Sequence, residues 1–162
     1  MVGSILAVPL VGGAFWKGER DLMTALATFA EFYRSLGPGS AARLPQVYSD
    51  SVVFTDPVTR HTGLAAVARY FDRLLENCVS CRFDITSMSV RADTGYVSWT
   101  MRFRHRRLRG GAAITVDGFS VVTLDGGLVS AQRDYYDMGA MIYEHVPLLG
   151  RAVSGLRRRM AA

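Results

Sequence analysis

Between residues 19 and 36 the apolar positions Leu22, Leu26, Phe29, Phe32, Tyr33 and Leu36 recur at three- and four-residue intervals. That spacing draws one apolar stripe along a helix. Gly37-Pro38-Gly39 ends it, and Ser40 is placed to cap a short second helix running to Val47. Residues 51–55 are rich in β-branched and aromatic side chains and predict a strand, broken at Asp56-Pro57. Helical spacing returns over 63–78 with Leu64, Val67, Ala68, Phe71, Leu74, Leu75 and Cys78.

The pattern then changes to a period of two. Residues 81–90 predict a strand, and 95–106 a longer one. In the longer one Val97, Trp99, Met101, Phe103 and His105 share one face, while Tyr96, Ser98, Thr100, Arg102, Arg104 and Arg106 share the other. Gly110-Gly111 marks a turn, 113–124 a strand, Asp125-Gly126-Gly127 a hairpin turn and 128–136 the returning strand. Asp137 is placed to cap a helix containing Met141, Ile142 and Tyr143, which Pro147 interrupts. The last stretch sets Leu149, Ala152, Val153, Leu156 and Met160 on one face and arginines elsewhere.

Helices first and strands later predict an α+β domain. A sheet with one apolar and one polar face needs helices over the apolar side. We divide the chain into an apolar arm (1–18), a single domain (19–148) and a basic C-terminal helix (149–162). The arm has no charged leading region and is too short for a membrane span, so a cytoplasmic protein is expected.

Charge adds one feature. The net charge is +5, and nine arginines fall in two acid-free stretches, 102–109 and 151–162. A basic surface suits phosphates of nucleic acid or anionic lipid. The strand stripe offers only Tyr96 as an aromatic platform, so no nucleic-acid partner is expected. The amphipathic tail fits weak contact with a membrane surface, or packing on the domain. The two cysteines form a lone CxxC, Cys78 and Cys81, and the three histidines are scattered. That pair reads as two small core or boundary residues, and no metal or cofactor is expected.

Two local motifs resemble the nuclear transport factor 2-like superfamily, in its SnoaL-like branch. One is Tyr48-x-Asp50-x-Val-x-Phe54-x-Asp56-Pro57 followed by Gly63 and a helix. The other is Asp125-Gly126-Gly127-Leu-Val129 followed by Arg133-Asp134-Tyr135-Tyr136-Asp137. The resemblance spans about residues 20–150. It implies a cone-shaped, curved antiparallel sheet wrapped by N-terminal helices around a pocket. It also implies a homodimer through the outer sheet face. The fold hosts catalysts and non-catalytic modules alike, so function must come from the site.

Two enzyme groups of that superfamily bear on the residues. In the ketosteroid isomerase group the general base matches Asp56; a tyrosine donor is expected near Phe32 or Tyr33, and an acid donor where Ser120 stands. Asp117, three residues earlier, falls on the opposite face unless Gly118 forms a bulge. In the limonene-epoxide hydrolase group the catalytic acid matches Asp134. Its Arg-x-Asp partner is replaced here by Met101 and Phe103, so that epoxide chemistry is not expected.

The candidate catalytic residues are therefore Asp56 and Asp134. Each has a plain alternative: Asp-Pro is ordinary turn chemistry, and Asp134 has Arg133 and Asp137 beside it. His61 reads as a solvated loop residue. The expected pocket is lined by Phe32, Tyr33, Phe54, Trp99, Met101, Phe103, Ser120, Gln132 and Tyr136 and takes a small apolar molecule. Proton transfer on that molecule is one reading; a lipid or metabolite carrier is the other.

Overall fold

A computed structural model describes residues 17–161; the arm expected over 1–18 lies almost wholly outside them. Helix α1 (Lys17–Arg34) turns its apolar stripe inward, burying Leu26, Phe29, Phe32 and Tyr33. The expected short second helix is a 3-10 helix (Ser40–Gln46). Gly39 before it has φ +81°, a conformation that costs glycine nothing. The Ser40 hydroxyl accepts from the Gly37 N–H at 2.9 Å, so it ties the turn together.

Strand β1 (Tyr48–Thr55) starts earlier than the apolar run suggested. A short strand, β2 (Arg60–Thr62), folds back on it and carries His61, which is therefore not in a solvated loop. Helix α2 (Leu64–Glu76) ends before Cys78, which instead opens β3 (Cys78–Arg91). Strands β4 (Thr94–His105), β5 (Ile114–Asp125) and β6 (Leu128–Tyr136) complete a six-stranded sheet ordered β2-β1-β6-β5-β4-β3. The sheet is curved, unclosed and mixed, because β1 runs parallel to β6; the expectation of a purely antiparallel sheet is corrected on that point.

The β5–β6 turn is the expected two-residue hairpin, with Gly126 at φ +56° and Gly127 at φ +83°. Helix α3 (Met138–Met141) is capped by Asp137, whose side chain accepts from the Gly139 N–H at 2.7 Å. Helix α4 (Leu149–Met160) follows a Leu148 at φ +70°. It packs on the Tyr143–His145 turn, where the Glu144 backbone lies against Gly150, leaving no room for a side chain there. Arg157 pairs with Asp137 at 2.8 Å and also with Glu144. Leu156 and Met160 stay 60% and 81% exposed, so the apolar stripe of α4 is not what anchors it.

The core lies between α1, α2 and the concave sheet face. Val97, Trp99, Met101 and Phe103 point into it, as alternation predicts. The outer face carries Tyr96, Phe119, Tyr135 and the arginines.

Candidate functional site

Strand register assembles the site. Ser120 pairs with Asp134 across β5 and β6, Gly118 with Tyr136, and Phe54 of β1 with Gln132. Trp99 of β4 lies opposite Gly118 with no shift of register between them, so no bulge forms there. A Cβ on Gly118 would sit inside the Trp99 ring, and glycine is what lets the indole lie flat across β5. Asp117 stays on the outer face, where it accepts from the Thr100 hydroxyl at 2.6 Å.

A buried polar network runs through this register. The Trp99 indole N–H donates to the Ser120 hydroxyl at 2.9 Å, and that hydroxyl donates to Asp134 Oδ1 at 2.6 Å. Gln132 Nε2 donates both to the same Oδ1 at 2.8 Å and to the Tyr33 hydroxyl at 2.9 Å. Tyr33 reaches the Tyr48 hydroxyl at 3.0 Å, and Tyr48 donates to Gln132 Oε1 at 2.5 Å. The last three bonds close a ring in which every polar atom of the Gln132 amide is used, so its side chain is fixed. Burial raises the pKa of Tyr33 and Tyr48 well above the ordinary tyrosine range, and both stay neutral hydroxyls.

Asp134 is the exception to this saturation. Two donors hold Oδ1, while Oδ2 has no protein partner among the described residues. Desolvation pushes its pKa up to about 6; the Ser120 and Gln132 bonds pull the other way, and the nearby Asp56 charge adds to the rise. The residue keeps some surface open, and that surface belongs to the cavity it lines.

Asp56 is held differently. Its Oδ1 accepts from the backbone N–H groups of Val58 and Thr59, both at 2.8 Å, an Asx-type turn that ends β1. Its Oδ2 accepts a short hydrogen bond from the Tyr70 hydroxyl and a longer one, 3.4 Å, from Tyr136. Burial and the carboxylate they face raise the pKa of both tyrosines, so they remain hydroxyl donors. The His61 ring lies tilted against Tyr70, with ring centres 4.6 Å apart, and among the described residues its buried Nε2 has no partner.

Asp56, Asp134 and Tyr136 line one cavity of about 80 Å³, walled by Tyr33, Phe54, Trp99 and other apolar side chains. An adjoining groove of about 330 Å³ shares Leu36, Leu74, Leu75 and Met141 with it. Of the residues expected at the pocket, Ser120 and Gln132 stand behind the wall and act through Asp134. Phe103 lines the outer groove, and Met101 is buried in the core. Phe32 is not a wall of either space: it lies under the Arg43 guanidinium at 5.3 Å, because one helical step from Tyr33 turns it to another face. Tyr48, Tyr70 and Phe83 were not expected. Tyr70 sits beside the apolar stripe of α2, and a hydroxyl-bearing side chain there was the only signal the sequence offered. Among the described residues no group of three or more acids, histidines or cysteines stands close enough to hold a metal ion.

The family model for the SnoaL-like domain matches residues 29–132. The chain belongs to that family. Solved structures agree on the fold. A SnoaL-like polyketide cyclase candidate from Jannaschia sp. CCS1 superposes with a TM-score of 0.70 at 14% identity, over 81% of this chain and 95% of that one. A polyketide cyclase candidate from Acidithiobacillus ferrooxidans gives 0.64 at 17% identity, over 77% and 94%. AclR, a candidate hydroxylase from Streptomyces galilaeus, gives 0.64 at 13%, over 80% and 98%. No curated protein matches the sequence. SnoaL-like and nuclear transport factor 2-like folds thus account for the architecture, and the cavity lined by Asp56, Asp134 and Tyr136 forms the acid chamber of this one.

Proposed function

We propose that this SnoaL-like protein is a proton-transfer enzyme for a small, largely apolar molecule bearing a carbonyl group, with Asp134 as its acid–base. The observation that carries the reading is the half-satisfied Asp134 carboxyl, poised near neutral pH on an apolar cavity wall. A carboxylate there removes a proton next to a carbonyl and returns it elsewhere on the same substrate; a pKa near the working pH suits both steps. Tyr136, only loosely engaged with Asp56, is the donor available to the substrate oxygen as charge develops on it. Asp56 orients Tyr70 and Tyr136 rather than acting as the base, because both its oxygens already accept hydrogen bonds. The 80 Å³ chamber takes only the reacting end of a substrate, and the apolar groove beside it takes the body.

The test is deuterium exchange into a panel of alicyclic enolisable ketones, followed by proton NMR in heavy water. Exchange accelerated by the wild type and lost in Asp134→Asn, with binding retained, supports the reading. A ketone that binds and exchanges no faster than in buffer counts against it.

The second reading is a non-catalytic carrier whose tail meets a membrane surface. The exposed Leu156 and Met160 beside Arg151, Arg158 and Arg159 favour it. No described helix is long and apolar enough to cross a membrane. Binding to anionic vesicles that disappears on removal of residues 149–162 is its signature. In both readings the free thiols Cys78 and Cys81 suit a reducing, cytoplasmic setting, and a homodimer through the outer sheet face is part of the proposal.

A further inference from the structure

In a regular strand, residues three apart point to opposite faces. Cys78 and Cys81 do not. Cys78 pairs with His105 and Ser80 with Arg104, so Val79 is an extra residue, a bulge pushed out to solvent at 52% exposure. Beyond the bulge Cys81 pairs with Phe103. Both cysteines therefore share the face of Phe103 and His105, and both line the apolar groove outside the acid chamber. Their Cα atoms are separated by the two-residue rise of the partner strand, about 6.8 Å. That is the upper edge of the span a disulfide accepts. Both residues are partly exposed, and both are free thiols.

The sulfurs are also unequal. The Cys78 thiol donates to the Ser80 carbonyl oxygen at 3.1 Å, and the neighbouring Cys81 thiol lowers the Cys78 pKa to about 7 against the opposing effect of burial. The same interaction and burial raise Cys81 well above the ordinary thiol range. One sulfur is prepared as a nucleophile and its neighbour as the resolving thiol.

We propose that the Val79 bulge builds a redox-active dithiol from Cys78 and Cys81, which low-molecular-weight disulfides convert to an intramolecular disulfide on the groove wall. The Cys78 thiolate attacks one sulfur of the small disulfide; that S–S bond breaks, and one small thiolate leaves and takes up a proton. Cys81 then gives up its proton and attacks the Cys78 sulfur of the mixed disulfide, and the second small thiolate leaves with that proton. The protein dithiol is oxidised by two electrons and the small disulfide is reduced to two thiols. An i, i+3 spacing brings two strand residues to one face only when a bulge lies between them, so the CxxC alone does not disclose this arrangement.

The test uses the full chain, oxidised glutathione, and intact-mass analysis after alkylation of the remaining thiols. Wild-type protein loses both alkylatable thiols without retaining glutathione, and excess reduced glutathione restores them. Cys81→Ser accumulates one glutathione adduct on Cys78. Cys78→Ser reacts on the order of tenfold more slowly, because the remaining Cys81 sulfur is the more buried of the two. Circular dichroism establishes that both variants are folded. A wild type that keeps both thiols or holds a stable adduct overturns the proposal, and so do two single variants that react at equal rates.

Discussion

The Ser120 hydroxyl stands between Trp99 and Asp134, accepting from the indole at 2.9 Å and donating to the carboxyl at 2.6 Å. It links the Trp99 side of the wall to the acid, as Gln132 links Tyr33 to it. Replacing it tests whether the network tunes the carboxyl. Ser120→Ala removes a bond that favours the charged form of Asp134, so the Asp134 pKa rises further and the acid limb of a rate profile moves to higher pH. It also orphans a buried indole N–H, at a cost of about 1–3 kcal/mol. Thermal unfolding and the pH profile together check it; an unmoved acid limb would separate Ser120 from the chemistry.

Asp134 should make the fold less stable at neutral pH than in mild acid. Its pKa goes from an ordinary 3.8 to about 6 on folding, so between those values the native state holds more proton than the unfolded chain. Stability contributed by the protonated form is complete below about pH 4 and is lost as pH rises to 6, by about 3 kcal/mol. Asp134→Asn cannot charge and escapes this loss. Relative to wild type, the variant gains stability between pH 4 and pH 7, as urea unfolding at the two pH values would read. An equal difference at both would contradict the burial of the charge.

Gly118→Ala should destabilise by about 1–3 kcal/mol, because the new methyl meets the Trp99 ring and forces it off its packed position. The near-ultraviolet circular dichroism of Trp99 should weaken with it. Retention of both the signal and the melting temperature would show that the indole is not packed flat on β5.

The outer face should mediate self-association. Tyr96 and Phe119 stack at 6.2 Å between ring centres, and Tyr135 lies 49% exposed under the Arg133 guanidinium at 5.3 Å. Aromatic side chains and arginine are what interface centres are rich in. Light scattering should give a dimer for wild type and a monomer for Phe119→Glu. A wild-type monomer would remove the dimer from the account.

Much of the fold was legible because periodicity reports burial directly. The alternation along 95–106 put Val97, Trp99, Met101 and Phe103 inward, and the hairpin glycines marked the β5–β6 turn; the pairing of Ser120 with Asp134 depends in addition on a one-residue shift of register between Thr123 and Leu124. What stayed hidden depends on relations between distant segments. Nothing local says that β1 would lie parallel to β6, or that Tyr48 would reach Gln132 across that pairing. Asp56 stood as one of two candidate acids with Asp-Pro turn chemistry as its alternative; the folded turn and Tyr70 occupy both its oxygens, which the sequence does not disclose. The Val79 bulge was equally invisible, since one added residue leaves no mark in composition.

The central claim is that Asp134 is a buried carboxyl set to exchange protons near neutrality. The most direct measurement is a carbon-13 NMR titration of the aspartate side-chain carboxyls, with Asp134 assigned by its loss in Asp134→Asn. The account predicts that the missing resonance titrates with a midpoint at about pH 6. A midpoint in the ordinary aspartate range, near about 3.9, would contradict it and leave Asp134 a structural hydrogen-bond acceptor.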